Sequence, residues 1–105
     1  MTDAGFDLLL RRADNHILPW DKAAEVKTAF SSSQNYFTSL QARQLMAVVG
    51  SGNLLSVSES SRLELAKLSY SRITDPENFR QIIDLFTDQV SRDELNNYIR
   101  SQVQN

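Results

Sequence analysis

The stretch RQLMAVV at residues 43–49 returns 37 positions later as RQIIDLF at residues 80–86, and that internal likeness restricts the fold more than any single motif. The same displacement sets Leu8 against Leu45, Leu9 against Met46, Ile17 against Leu54, Leu18 against Leu55, Trp20 against Val57, Val26 against Leu63 and Ala29 against Ala66. Most of these pairs match apolar with apolar. In the last copy Val90 takes the place of Val57 once about four residues are removed from the intervening loop. A period of this size belongs to arrays of paired helices, in which one pair cannot bury its own apolar stripe and has to stack on its neighbours. Repeat-like units of about 3–36, 37–73 and 74–103 follow, forming either a short stack or a compact bundle.

The local pattern agrees with helices. Phe6, Leu9, Leu10 and Ala13, then Ala42, Leu45, Met46 and Val49, then Phe79, Ile82, Ile83 and Phe86 each occupy the i, i+3, i+4, i+7 stripe of an amphipathic helix. Thr38 to Gln41, Ser56 to Glu59, Thr74 to Glu77 and Ser91 to Glu94 fit the Ser/Thr-x-x-Glu/Gln capping box, each cap worth about 1 kcal/mol. Pro19 and Pro76 sit where a first helical turn tolerates a missing N–H. The expected fold is all-α: six helices at about 3–14, 19–31, 39–50, 57–71, 76–87 and 91–103, paired as three antiparallel hairpins in one domain.

A chain of 105 residues with 41% hydrophobic content can bury one core and needs no second domain. Its formal charge of −2 gives no general attraction to polyanions, so no nucleic-acid partner is expected. The absence of cysteine removes disulfides, thiolate metal sites and thiol catalysis. No apolar run approaches the length of a membrane span, and a soluble protein is expected, cytoplasmic if Met1 is the true start.

The run RLELAKLSYSRITDPENFRQIIDLF, followed by SRDELNNYI, resembles the family catalogued as domain of unknown function 4476 (DUF4476). The likeness is carried by Arg62, Leu63, Lys67 and Tyr70, by Ile73, Thr74, Asp75, Pro76, Asn78 and Phe79, by Phe86, and by Ser91, Arg92, Glu94, Leu95, Tyr98 and Ile99. It covers most of residues 37–100, while Trp20 and Asp21 stand where the family leads one to expect phenylalanine and serine. The resemblance implies a small helical domain, often appended to other sequence, and brings no activity or catalytic residue.

Few residues suggest chemistry. In ITDPENF, Asp75 and Glu77 could start a metal site, but the spacing, central glycine and terminal glutamate of a calcium loop are absent. A helix start explains the stretch better, with Asp75 as N-cap, Pro76 at the first helical position and Glu77 near the positive end of the dipole. His16, the one histidine, lies beside Asp14 as in a general-base dyad, yet the internal alignment makes both turn residues between helices. GSGN at residues 50–53 lacks the preceding strand and the following Gly-Lys of a phosphate loop, and reads as a helix stop. Trp20, aligned with Val57 and Val90, reads as a buried staple, and Tyr36, Phe37, Phe79 and Phe86 as core rings. Arg43 and Gln44 recur as Arg80 and Gln81, with Gln44 opposite the apolar stripe, which makes these four the candidates for a shared outward surface.

Two functional classes emerge. A non-enzymatic module that holds an unknown protein partner in a groove between hairpins needs no missing chemistry, no metal and no cofactor. A small hydrolase or metal-dependent enzyme would have to use His16 with Asp14, or Asp75 with Glu77. A structural or oligomerisation appendage is a third, weaker reading. The residues favour the first.

Overall fold

Polar side chains set where the helices begin. In the computed structural model, which describes residues 1–50 and 58–103, α1 (Asp3–Asn15) starts behind Thr2, whose Oγ1 accepts the Gly5 N–H at 3.2 Å. Helix α2 (Pro19–Ser31) starts directly on its proline, where an N–H would go unused in any case. Ahead of α3 (Ser39–Gly50) the capping box is complete: Gln41 N–H reaches Thr38 Oγ1 at 3.1 Å and Thr38 N–H reaches Gln41 Oε1 at 3.0 Å. Helix α4 (Glu59–Tyr70) is capped by Ser58, which accepts the Ser61 N–H at 3.2 Å. Ser56 and Val57, with residues 51–53 of the glycine-containing turn, lie outside the described residues.

The fifth expected helix is much shorter than its apolar stripe suggests. A 3₁₀ turn (Pro76–Asn78) leads into α5 (Arg80–Ile83), and no regular helix continues to residue 87. Three-residue hydrogen bonds dominate, from Phe79 N–H to Pro76 O at 3.1 Å, Ile82 N–H to Phe79 O at 2.9 Å and Leu85 N–H to Ile82 O at 3.1 Å. This tighter winding still delivers Phe79, Ile82 and Phe86 to the core, so the stripe survives while the α-helix does not. Arg92 then closes the segment, its Nε–H donating to the Phe86 carbonyl at 2.6 Å. Helix α6 (Gln89–Val103) begins before the expected Ser91 cap; Ser91 is buried, and its hydroxyl donates to Asp88 Oδ2 at 3.4 Å.

Helices α1, α3 and α5 neighbour one another in that order, and so do α2, α4 and α6, while α1 with α2, α2 with α3, α3 with α4 and α5 with α6 join the two rows. The result measures 38 × 33 × 18 Å. Its thin dimension suits two helical layers at an interaxial spacing of about 8–10 Å. Helices α1 and α2 run antiparallel: Asp14 and Arg12 near the end of α1 meet Lys22 and Glu25 near the start of α2. Between the layers lie Phe6, Leu9, Ala13, Val26, Phe30, all of Ala42, Leu45, Met46 and Val49, then Leu63, Ala66, Phe79, Ile82, Phe86 and Leu95. Phe30 and Phe37 meet edge to face with centroids 5.4 Å apart, the arrangement their quadrupoles prefer.

The entrances to α3 and to the 3₁₀ turn are joined by an isolated parallel bridge between Phe37 and Ile73. Phe37 N–H donates to Arg72 O and Thr74 N–H to Phe37 O, both at 2.8 Å. Two aromatic residues depart from the core expected of them. Tyr36 is exposed, with the Arg72 guanidinium 5.9 Å from its ring centroid, and Trp20 is 53% exposed instead of stapled beneath its helix. The equivalence of Trp20 with Val90 holds in the opposite sense, since Val90 is 72% exposed as well. No described helix is long and apolar enough to cross a membrane.

Candidate functional site

Asp75 is occupied by structure. Its Oδ1 accepts the Ser39 N–H at 2.6 Å and its Oδ2 accepts the Asn78 amide at 3.1 Å, while Ser39 Oγ donates to the Asp75 carbonyl at 3.1 Å. The carboxylate therefore does not make the cap bond to its own turn that the sequence suggested, and sits instead at the first N–H of α3. Desolvation pushes its pKa up, but the hydrogen bonds from Asn78 and Ser39 together outweigh it and hold the group below the ordinary aspartate value. Glu77 is exposed. Among the described residues, no three His, Cys, Asp or Glu side chains converge as metal ligands.

His16 and Asp14 do not form a dyad. His16 Nε2 lies 3.4 Å from Glu25 Oε1, and Glu25 Oε2 lies 3.4 Å from Arg12 Nη2. Asp14 instead meets Lys22 Nζ at 3.5 Å. Arg12, Asp14 and His16 at the end of α1 are thus met by Glu25 and Lys22 on α2, an arrangement that clamps the hairpin. His16 also closes α1, its backbone N–H donating to Ala13 O.

The four residues singled out by internal likeness lie on α3 and α5. Arg43, Gln44 and Arg80 are exposed and Gln81 is half-buried. Arg80 borders a polar depression of about 330 Å³ with Ile83, Asp84, Gln89, Arg92 and Asn96.

A different groove, of about 440 Å³, opens between α2 and α4. Trp20, Ala23, Ala24 and Lys27 form its α2 wall, and Ser60, Ser61, Glu64 and Leu65 its α4 wall. The α2 residues follow i, i+3, i+4, i+7, so this helix carries two stripes: Val26, Ala29 and Phe30 face the core while Trp20, Ala23, Ala24 and Lys27 face the groove. Small side chains on both walls keep the floor open, and the indole edges it. A smaller depression of about 270 Å³ lies between α4 and α6, sharing Ser60 and Glu64 and reaching Val90. The second stripe on α2 was readable from the sequence; the assumption that Trp20 is stapled inward hid it.

The residues that carry the family likeness gather elsewhere, where the last part of the chain meets α4. The Arg62 guanidinium lies 5.3 Å from the Phe86 ring centroid, and Arg92 holds the Phe86 carbonyl. Lys67 pairs with Glu94 at 2.9 Å and lies 5.8 Å from the Tyr98 ring centroid. Tyr70 packs edge to face on Phe79 at 5.1 Å. These contacts fasten α6 and the two phenylalanines that flank α5 to α4, so the distinctive residues of the motif are explained as joints of the fold.

Six helices among the described residues, with a Trp-edged groove and the residues of the family likeness spent on helix docking, define a small all-α domain. The chain belongs to the family described as Domain of unknown function (DUF4476), whose model matches residues 1–99 and so takes in the first hairpin as well. No curated protein matches it, and no solved structure does.

Proposed function

We propose that this domain is a non-enzymatic protein-interaction module that holds a segment of a partner in the groove between α2 and α4. The observation that carries this reading is the exposure of Trp20, 53% of whose surface is open to solvent at the edge of a groove with small-residue walls. Covering a large aromatic ring releases more water from apolar surface than covering any other side chain, and for that reason tryptophan recurs at the energetic centres of interfaces. The alternative of a His16–Asp14 enzyme is disfavoured by geometry, because each residue is committed to a different partner on α2.

Affinity capture from the source organism with matched variants tests this reading. Trp20→Ala should abolish capture of a partner that the unaltered chain retains, whereas Arg43→Glu with Arg80→Glu should leave capture intact. A partner that still binds the Trp20 variant and is lost with the arginine pair would move the interaction surface to α3 and α5.

A further inference from the structure

We infer that the occupant of the α2–α4 groove is an amphipathic helix of a partner protein that carries an acidic residue along one flank and a basic residue along the other; the inference rests on the interaction reading above. The recognition mode follows from what the groove offers. An added β-strand needs an exposed sheet edge, and the strand-like pairing among the described residues is the single bridge between Phe37 and Ile73, away from this groove. A polyproline helix needs a run of aromatic ridges, and one aromatic side chain lines the groove. Two helices with Ala23, Ala24, Ser60 and Ser61 on their facing walls leave a trough that receives the apolar ridge of a third helix, as the gaps between helices do inside the domain.

Charge complementarity sets the flanks. Lys27 stands on the α2 wall and Glu64 on the α4 wall, both exposed, and neither makes an ion pair among the described residues. The neighbouring charges on these helices are differently placed: Glu25 is held by Arg12, Lys22 by Asp14, Glu59 by Arg62 and Lys67 by Glu94, and Asp21, exposed and without an ion pair among the described residues, is not part of the groove lining. A helix lying in the trough therefore meets one uncompensated positive charge on its α2 side and one uncompensated negative charge on its α4 side. An acidic residue facing Lys27 and a basic residue facing Glu64 satisfy both, and the reverse orientation places like charges together.

The test uses the full chain as bait for a displayed library of random peptides, with counter-selection on Trp20→Ala. Enriched peptides should show apolar residues at i, i+3 or i+4, and i+7, with acid and base on opposite flanks. The best of them, synthesised, should shift the emission of Trp20 to the blue, an unambiguous reporter because it is the one tryptophan in the chain. The double reversal Lys27→Glu with Glu64→Lys should prefer the charge-swapped peptide by about tenfold or more, since opposed like charges cost several kcal/mol at an interface. Peptides that require Trp20 but alternate with strand period, are proline-rich, or bind both charge forms equally would overturn the helix assignment and leave the groove as an interaction site. An absence of Trp20-dependent peptides would overturn both.

Discussion

The carboxylate of Asp75 accepts the backbone N–H of Ser39 at 2.6 Å. A residue that precedes the fifth helical segment thus answers the N-terminus of α3, 36 positions earlier in the chain. With the Phe37–Ile73 bridge beside it, this bond ties together the entrances of two successive helical pairs. Long-range closure of this kind makes the last third of the chain part of the stability of the middle third.

Removing that acceptor leaves a helix-terminal donor unanswered. Asp75→Ala should destabilise the domain by about 1 kcal/mol, and Asp75→Asn, which keeps an oxygen acceptor, by less. The effect has a pH signature. The folded pKa of Asp75 is depressed, so the ionised group contributes stability that is fully present above its unfolded pKa and is lost as pH falls through the folded value. The melting-temperature gap between the unaltered chain and Asp75→Asn should accordingly be steady near neutrality and shrink in acid. A gap that widens below pH 4 would contradict the sign.

Arg92 acts on the Phe86 carbonyl through Nε and on Asp84 through Nη2, at 2.6 and 3.6 Å. Lysine keeps the charge but lacks this fork. Arg92→Lys and Arg92→Ala should both lower stability in urea, by about 1–2 kcal/mol, with the lysine variant recovering little. Full recovery by lysine would show that charge alone holds the end of this segment.

Trp20 and Phe37 should behave oppositely on truncation. Phe37 is fully buried against Phe30, and Phe37→Ala should cost about 3–5 kcal/mol in denaturant titration. Trp20→Ala removes an exposed ring and should change stability by about 0.5 kcal/mol or less.

Lys67 and Glu94 meet at 2.9 Å between α4 and α6, with both side chains partly open to water. Glu94→Gln should cost less than about 1 kcal/mol at low salt. That difference should fade near 1 M salt, where screening acts within about 3 Å.

Much of this architecture was legible because apolar periodicity survives details of winding. The stripe Ala42, Leu45, Met46 and Val49 is buried without exception, and Thr38 with Gln41 caps as the box requires. The stripe through Phe79, Ile82, Ile83 and Phe86 was right about burial at all but Ile83, which is half-buried, and wrong about form, because spacings of three and four residues do not distinguish α from 3₁₀ winding over so short a run. Polar partners were less readable. Asp75 and Thr38 are both sound capping residues, but only folding reveals that the former serves a helix in another part of the chain. His16 and Asp14 are near neighbours in sequence, yet α2 supplies both of their partners. Alignment of Trp20 with a valine does not imply burial, since Val90 is itself at the surface and Trp20 is exposed with it.

The groove between α2 and α4 is tested most directly by site-specific photo-cross-linking in the organism that makes the protein. A photoreactive residue placed at Ala24, exposed on the groove wall, should give a discrete adduct with one partner, and the same residue at Gln44, exposed on α3, should give none. An adduct formed from position 44 and absent from position 24 would contradict the assignment.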